Sequence, residues 1–424
     1  MKVMVIGNGG REHALCWKLA QSLSVESIVC VPGNGGTQNS PKCRNQVIET
    51  AEAQVSAAAD QGMDLVVIGP EAPLVDGLAD KLRAAGIPTV GPGRAGAVLE
   101  GSKAAAKEFM VRHGIRTPAY RRFTKEEQKT AEDYLRAAGY PLVIKADGLA
   151  AGKGVTICET ADSALNTLKD LFEGNILKES GHTIVVEQFL RGKEVSVLTL
   201  CDGHSVLPLM SAMDHKRIGE NDTGPNTGGM GAIAPNPFFT GEYQEDFRES
   251  ILNPTLEGLK KDGLDFRGII FFGLILQEGK TYLLEYNVRF GDPETQAVLP
   301  LLNEDLAELL LELAEGRLRK RTLSYRGGAS CNVVMASGGY PGKYDIDKPV
   351  TITYPFSASG GSDTALFIAG ARGQDGELYT SGGRVLSVTG IGETLEEARA
   401  RAYTAAEKVS FSGKYYRGDI GKYE

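Results

Sequence analysis

The sequence predicts a multidomain α/β and α+β protein: a parallel, doubly wound sheet at the N-terminus, a central domain of hairpin-like strands, and a small C-terminal α+β domain. Three observations carry this. At 424 residues the chain exceeds one ordinary core. Its first hundred or so residues alternate β-branched runs with amphipathic stretches, which means βαβ units and a sheet covered on both faces. Beyond them the texture changes to closely spaced strands around a long glycine-rich loop and two strongly apolar runs.

The first domain, residues 1–101, reads KVMVI, a helix from Arg11, SIVCV, a helix over 53–61, DLVVIG, a helix over 74–85, and PTVG. A helix over 102–113 opens the second domain, residues 102–324. Its strands are PLVIKA, GVTIC, HTIVVEQ, EVSVLTLC, SVLPLM, GIIFFGLIL and TYLLEYN, with a flap subdomain over about 123–192. Residues 303–316 are leucine-rich at helical spacing and end on a glycine, as a C-cap does. The third domain, residues 325–424, has its own strands and an amphipathic helix over 395–408.

Hydrophobic residues make up 42% and charged residues 24%, so the chain is globular. The net charge of −8 is interspersed, with no basic tract, which argues against a nucleic-acid or anionic-membrane partner. The six cysteines have no C-x-x-C spacing and read as reduced and mostly buried. With no leader and no apolar run of spanning length, the expectation is a cytoplasmic protein. The 53 glycines cluster beside apolar segments, the pattern of backbone-lined binding loops.

The sharpest motif is Y-L-L-E-Y-N-V-R-F-G-D-P-E-T-Q, residues 282–296. Alternation along a strand puts Glu285 and Asn287 on one face, with Leu284 and Tyr286 on the other. Two oxygen ligands side by side suit a hard cation such as Mg2+, and Arg289 falls on the same side. Such a trio can hold a triphosphate and neutralise a phosphoryl group in transit. The alternative is a strand end with solvated polar residues.

G-N-G-G-R-E-H, residues 7–13, lies between a strand and a helix, where a glycine turn offers amides to an anion. Glu12 replaces the third glycine of a dinucleotide fingerprint, and the second strand lacks a ribose-binding acid, which disfavours a nicotinamide oxidoreductase. A sugar-phosphate site with Arg11 as charge partner fits better; a plain tight turn is the alternative. Glu71, in G-P-E-A-P-L, belongs at the carboxyl end of the sheet, where such folds bind ligands. D-G-L-A-A-G-K-G, residues 147–154, departs from a Walker A box but describes a flap whose amides and Lys153 can close over phosphates. Lys145, inside an apolar strand, requires a partner: a nucleotide phosphate or a structural ion pair. Glu187 and Glu194 flank a turn able to meet a purine edge and ribose hydroxyls. Residues 214–231 are too long and glycine-rich for a simple connection and read as an ordered substrate loop, in which His215 is a hydrogen-bonding or solvated residue.

Together these segments resemble the phosphoribosylamine-glycine ligase family, the glycinamide ribonucleotide synthetases of the ATP-grasp superfamily. G-N-G-G-R-E-H, G-P-E-A-P-L, G-S-K, I-K-A-D-G-L-A-A-G-K-G, D-H-K-R with D-T-G-P-N-T-G-G-M-G, and above all R-F-G-D-P-E-T-Q carry the likeness almost end to end, in a stand-alone form. The resemblance implies that the central domain is an ATP-grasp domain and that ATP joins glycine to 5-phosphoribosylamine in purine synthesis through a glycyl phosphate. It implies Lys103, Lys145, Gly152, Lys153, Glu187, Leu190 and Glu194 as ATP contacts, and Glu285 and Asn287 as ligands of Mg2+ or Mn2+. Asn8, Gly9, Gly10, Arg11, Glu12, Glu71, Asp214, Lys216, Arg289, Gly291 and Asp292 fall to phosphoribosylamine and glycine, with Arg289, Asp214 and Lys153 catalytic. GIIFFGLIL lacks the further acidic metal ligand of many ATP-grasp enzymes, leaving the metal count open. The partners expected are small molecules, the chain a monomer. Other ATP-grasp enzymes of purine synthesis, transformylase or carboxylase, and a non-catalytic nucleotide sensor are the competing readings.

Overall fold

The computed structural model describes residues 1–149, 154–174, 182–356 and 362–423. The parallel sheet holds Lys2–Gly7, Ser27–Pro32, Cys43–Asn45, Leu65–Ile68 and Thr89–Val90, ordered in space third, second, first, fourth, fifth. Helices on both faces leave its strands, the edge strand Cys43–Asn45 excepted, little solvated surface, which is why they read as apolar runs. The first strand pairs with the second on one side and the fourth on the other. Strand order therefore reverses between the first and fourth strands, and the loops leaving their carboxyl ends, residues 7–11 and 69–71, part to open a crevice. The helix expected over 74–85 is two helices, Glu71–Val75 and Leu78–Ala84. Gly77 between them takes φ +83°, a left-handed backbone that glycine adopts freely and that stops the helical run.

Two antiparallel sheets form the central region. One carries Val206–Pro208, Lys193–Cys201, Gly268–Gln277 and Lys280–Asn287 in that order; the other carries Tyr120–Thr124, Thr183–Gln188, Leu142–Ala146 and Val155–Cys158. Tyr120–Thr124 escaped the sequence reading because Y-R-R-F-T has no apolar alternation; only its pairing with Thr183–Gln188 makes it a strand. In Lys280–Asn287 the alternation breaks. Leu274 faces Leu283 and Gly273 faces Glu285, so Leu284 is an extra, bulged residue. Leu283 and Tyr286 are consequently both in the core, 0% and 2% exposed. Leu284, expected to point away from Glu285, lines the same cleft.

The C-terminal sheet borrows from the middle of the chain. Met213–Asp214 pairs with Gly231–Ala234, which pairs onto Ala329–Ala336, followed by Arg384–Gly392 and Thr364–Ile368. Residues 214–231, read as a loop, hold a hairpin of Arg217–Gly219 with Thr223–Asn226. Arg417, 1% exposed, clamps it: its guanidinium donates to Arg217 O (3.0 Å) and pairs with Asp222 (2.9 Å) and Asp419 (2.7 Å). Among the described residues no helix is long and apolar enough to cross a membrane.

Two histidines join these parts. His13 Nδ1 accepts a hydrogen bond from Ile368 N (2.8 Å), docking the first helix on the C-terminal sheet, and His215 Nε2 accepts from Gly421 N (3.2 Å). Burial favours the neutral rings and lowers both pKa values from 6.5 to about 4. Between those values the unfolded chain binds more protons than the folded one, so stability falls as pH drops through that window. Each histidine accounts for about 3 kcal/mol at its lower end. The urea midpoint should decline from pH 6.5 to 4, and less steeply in His13→Gln; an equal decline in both would refute this role for His13.

Candidate active site

The crevice at the switch point continues between the central sheets as a cleft of about 1380 Å³. Glu285 sits in it among four cations. Burial alone would raise its pKa, but Lys145, Lys216, Lys103 and Arg289 outweigh burial and hold it below the ordinary carboxylate value. Asn287 Oδ1 is 3.4 Å from Arg289 Nη2. An ionised carboxylate and an amide oxygen, both lining the cleft, are hard donors that fit Mg2+ or Mn2+, which complete their shells with water and phosphate. Gly273, opposite in the ladder, keeps the space open: a Cβ there would stand 3.1 Å from Glu285 Cγ.

The facing sheet and the helix Lys103–Arg112 supply lysines. Glu187, 2% exposed, places Oε1 3.0 Å from Lys145 Nζ and 3.2 Å from Lys107 Nζ. Each ammonium, with three donors, also donates to a neutral oxygen, Lys145 to Leu284 O (3.1 Å) and Lys107 to Thr117 Oγ1 (2.6 Å). Oε1 is thus the shared counter-charge of two ammoniums at ion-pair distance. Burial, aided by Lys145 and opposed by Glu187, lowers Lys107 to about 8. Lys145 therefore has the ion-pair partner its position required and also lines the cleft. Lys107 was missed; its signal is its place one turn after Lys103 on a helix that is otherwise apolar there. Lys103 Nζ donates to Gly148 O (2.9 Å), tying the helix to the start of the flap. Leu190 lines the cleft, as do Glu194 and Lys216, which form an ion pair.

Across the cleft, Glu71 bridges two guanidiniums, 3.7 Å from Arg11 Nη2 and 3.7 Å from Arg289 Nε. Burial opposes its ionisation, yet Arg289 and Arg11 lower its pKa. Arg289 Nε is also 3.2 Å from Glu100, a buried carboxylate that accepts from Val288 N (2.7 Å). For Glu100 burial prevails and its pKa is raised despite Arg289. Asp292 accepts from Arg11 N (3.3 Å) and Gln296 Nε2 (2.8 Å) and pairs with Arg384 (3.3 Å), so it joins the N-terminal turn to the C-terminal sheet. Asp214 and Glu294 form an acidic pair whose pKa values are both raised, first by burial and for Asp214 next by Glu294. Ser196 Oγ donates to Glu294 Oε1 (3.0 Å), whereas Asp214 Oδ1 is buried without a partner. Glu100, Glu294 and Arg384 were missed; Glu294 stood in R-F-G-D-P-E-T-Q itself, but nothing local marked it as Asp214's neighbour.

Asn8, Gly9, Gly10, Glu12 and Gly291 do not line this cleft. Glu12 is buried and turned back on its own helix, accepting from Gly9 N (2.5 Å) and Arg11 Nε (2.6 Å). Its carboxylate fills the gap between turns so closely that a Cβ on Gly69 would lie 2.0 Å from Oε1. The N-terminus of this helix is thereby capped by the chain's own anion. Gly152 and Lys153 lie outside the described residues.

A cleft between two antiparallel sheets, with a carboxylate–amide pair on one and a buried lysine on the other, opening onto the crevice of a parallel-sheet domain, defines an ATP-grasp ligase, a class that uses ATP and a divalent metal. The chain matches the phosphoribosylglycinamide synthetase N domain over residues 1–100, the ATP-grasp (A) domain over 101–295 and the C domain over 330–423. It is 46% identical to phosphoribosylamine–glycine ligase of Clostridium acetobutylicum over 100% of both chains. It is 48% identical to that of Rhizobium meliloti, with 99% of this chain and 98% of the relative covered. The crystal structure of phosphoribosylamine–glycine ligase from Thermotoga maritima matches with TM-score 0.86 and 36% identity, covering 99% of this chain and 100% of that one. The chain belongs to the phosphoribosylglycinamide synthetase family. A biotin carboxylase domain from Hydrogenobacter thermophilus, at 19% identity and TM-score 0.75 over 98% of this chain and 91% of that one, shares the fold.

Proposed function

We propose that this chain joins glycine to 5-phosphoribosylamine, giving glycinamide ribonucleotide, ADP and phosphate through a glycyl phosphate, in de novo purine synthesis. The observation that carries this reading is the meeting, in one cleft, of Glu285, Asn287 and Lys145 with the switch-point group Arg11, Glu71 and Arg289. Glycine's carboxylate is a poor electrophile until it accepts the γ-phosphoryl group; the amine of phosphoribosylamine then attacks the acyl carbon and phosphate leaves. Positioning and charge neutralisation supply such a transfer, so no serine or cysteine nucleophile is required. Glu285 and Asn287 would hold Mg2+ or Mn2+, which would supply positive charge to the phosphates. Lys103, Lys145, Leu190, Glu187 and Glu194 hold ATP, with Gly152 and Lys153, outside the described residues, as further ATP contacts. Arg289 faces the carboxylate being phosphorylated. Asp214, with its unpaired Oδ1 beside Glu294, accepts from the glycine ammonium. Arg11, Glu71, Lys216 and Asp292, which line the cleft, meet phosphoribosylamine. We assign three domains, 1–101, 102–324 with a flap over 123–192, and 325–424, in a cytoplasmic monomer.

ADP should form only when glycine and phosphoribosylamine are both supplied, and a heavy-oxygen label in glycine's carboxylate should appear in the released phosphate. Arg11→Ala should raise the KM for phosphoribosylamine on the order of tenfold, with little change for ATP. Unlabelled phosphate would overturn the glycyl phosphate, and ADP formation without glycine would overturn the ligase reading.

A further inference from the structure

Three thiols meet in the N-terminal sheet, away from the cleft. Cys30 lies within Ser27–Pro32 and Cys43 opens the edge strand Cys43–Asn45. The register pairs Cys30 with Asn45 and Ile28 with Cys43, so the two cysteines are offset by two residues and share a face of the sheet. Cys16 reaches them from the helix Gly10–Leu19. Its Sγ is 3.3 Å from that of Cys30, and the three sulfurs lie within 4.8 Å of one another. Among the described residues no other group of three His, Cys, Asp or Glu side chains brings its ligand atoms so close.

We propose that Cys16, Cys30 and Cys43 form a structural site for a soft, thiophilic d10 cation of the Zn2+ class. Zinc–thiolate bonds of about 2.3 Å place the sulfurs roughly 3.8–4.0 Å apart. That spacing falls between the 3.3 Å contact and the 4.8 Å limit seen here, so small side-chain adjustments close the site. An all-sulfur donor set rejects Mg2+, so the site is chemically distinct from Glu285 and Asn287. Cys16 and Cys30 are buried and Cys43 is half-buried, so the ion enters at Cys43 and a water admitted there completes the tetrahedron. As each sulfur bonds the ion, its thiol proton passes to solvent; no electrons are exchanged. The bound ion would fasten the helix that presents Arg11 to the edge of the sheet.

The test is a Cd2+ titration of the full-length protein, reduced, chelator-stripped and free of Mg2+. One equivalent should bind, with a thiolate-to-cadmium charge-transfer band, three sulfurs by X-ray absorption, and a higher melting temperature. Cys43→Ser, at the half-exposed position, should weaken Cd2+ binding by at least roughly tenfold and abolish the thermal shift. Cys331→Ser should leave both unchanged. Absence of the band, or undiminished affinity in Cys43→Ser, overturns the site. A Cys16–Cys30 disulfide in protein that binds no Cd2+ when reduced overturns it as well, and assigns the short sulfur contact to redox chemistry.

Discussion

Glu285→Ala is expected to lower turnover by on the order of a thousandfold while the protein stays folded. The strand's packing is carried by Leu283 and Tyr286, both in the core, and the bulge at Leu284 is what frees Glu285 to face the cleft. Removing the carboxylate deletes an anion on which Lys145, Lys216, Lys103 and Arg289 converge and, on the function proposed above, the charged ligand of the metal. The two losses act oppositely on the nucleotide. Metal-free ATP, an anion, meets a more positive cleft and should bind as tightly as before or tighter. Mg-ATP loses a first ligand and should bind more weakly, with more Mg2+ needed for half-maximal activity. Calorimetric titrations with and without Mg2+ separate these effects. Equal weakening of both forms would show that Glu285 serves the shape of the cleft and holds no metal.

The sequence disclosed what is local. Strand–helix alternation located the parallel sheet, and the two-residue spacing of Glu285 and Asn287 located the face they share. What it withheld is set by partners distant in the chain. The bulge at Leu284 is decided by the neighbouring strand, so simple alternation misplaced that residue. The loop over 214–231 is held as a hairpin by Arg417, a clamp that no local pattern announces. Glu12 was placed beside substrate by resemblance alone; that its carboxylate accepts from Gly9 N and caps its own helix is a local contact the motif did not announce. Lys107, Glu100, Glu294 and Arg384 are ordinary charged residues by sequence, and only burial against opposite or like charge sets them apart.

Glu187→Gln should destabilise the protein by about 3–5 kcal/mol, because it strands two buried ammoniums that now share one counter-charge. Lys107 and Lys145 both lie within 3.2 Å of Glu187 Oε1, and Lys107 is 2% exposed. In the parent, burial already lowers Lys107 from 10.5 to about 8, and Glu187 is the largest influence opposing it. Without that carboxylate the value falls further. A base whose folded pKa lies below its unfolded one binds more protons when unfolded, so stability rises with pH across the interval between them. For the parent that interval runs from about 8 to 10.5; for Glu187→Gln it should open at lower pH, so the variant regains part of its loss on mild alkalinisation. Lys107→Met added to Glu187→Gln removes the stranded charge and should recover part of the melting temperature, leaving Lys145 free for phosphate. Chemical denaturation of the single and double variants over this pH range decides the matter. If the double variant melts below the single one, Lys107 contributes through Thr117 and Tyr120 more than it costs as a buried charge, and Glu187 is not its indispensable counter-ion.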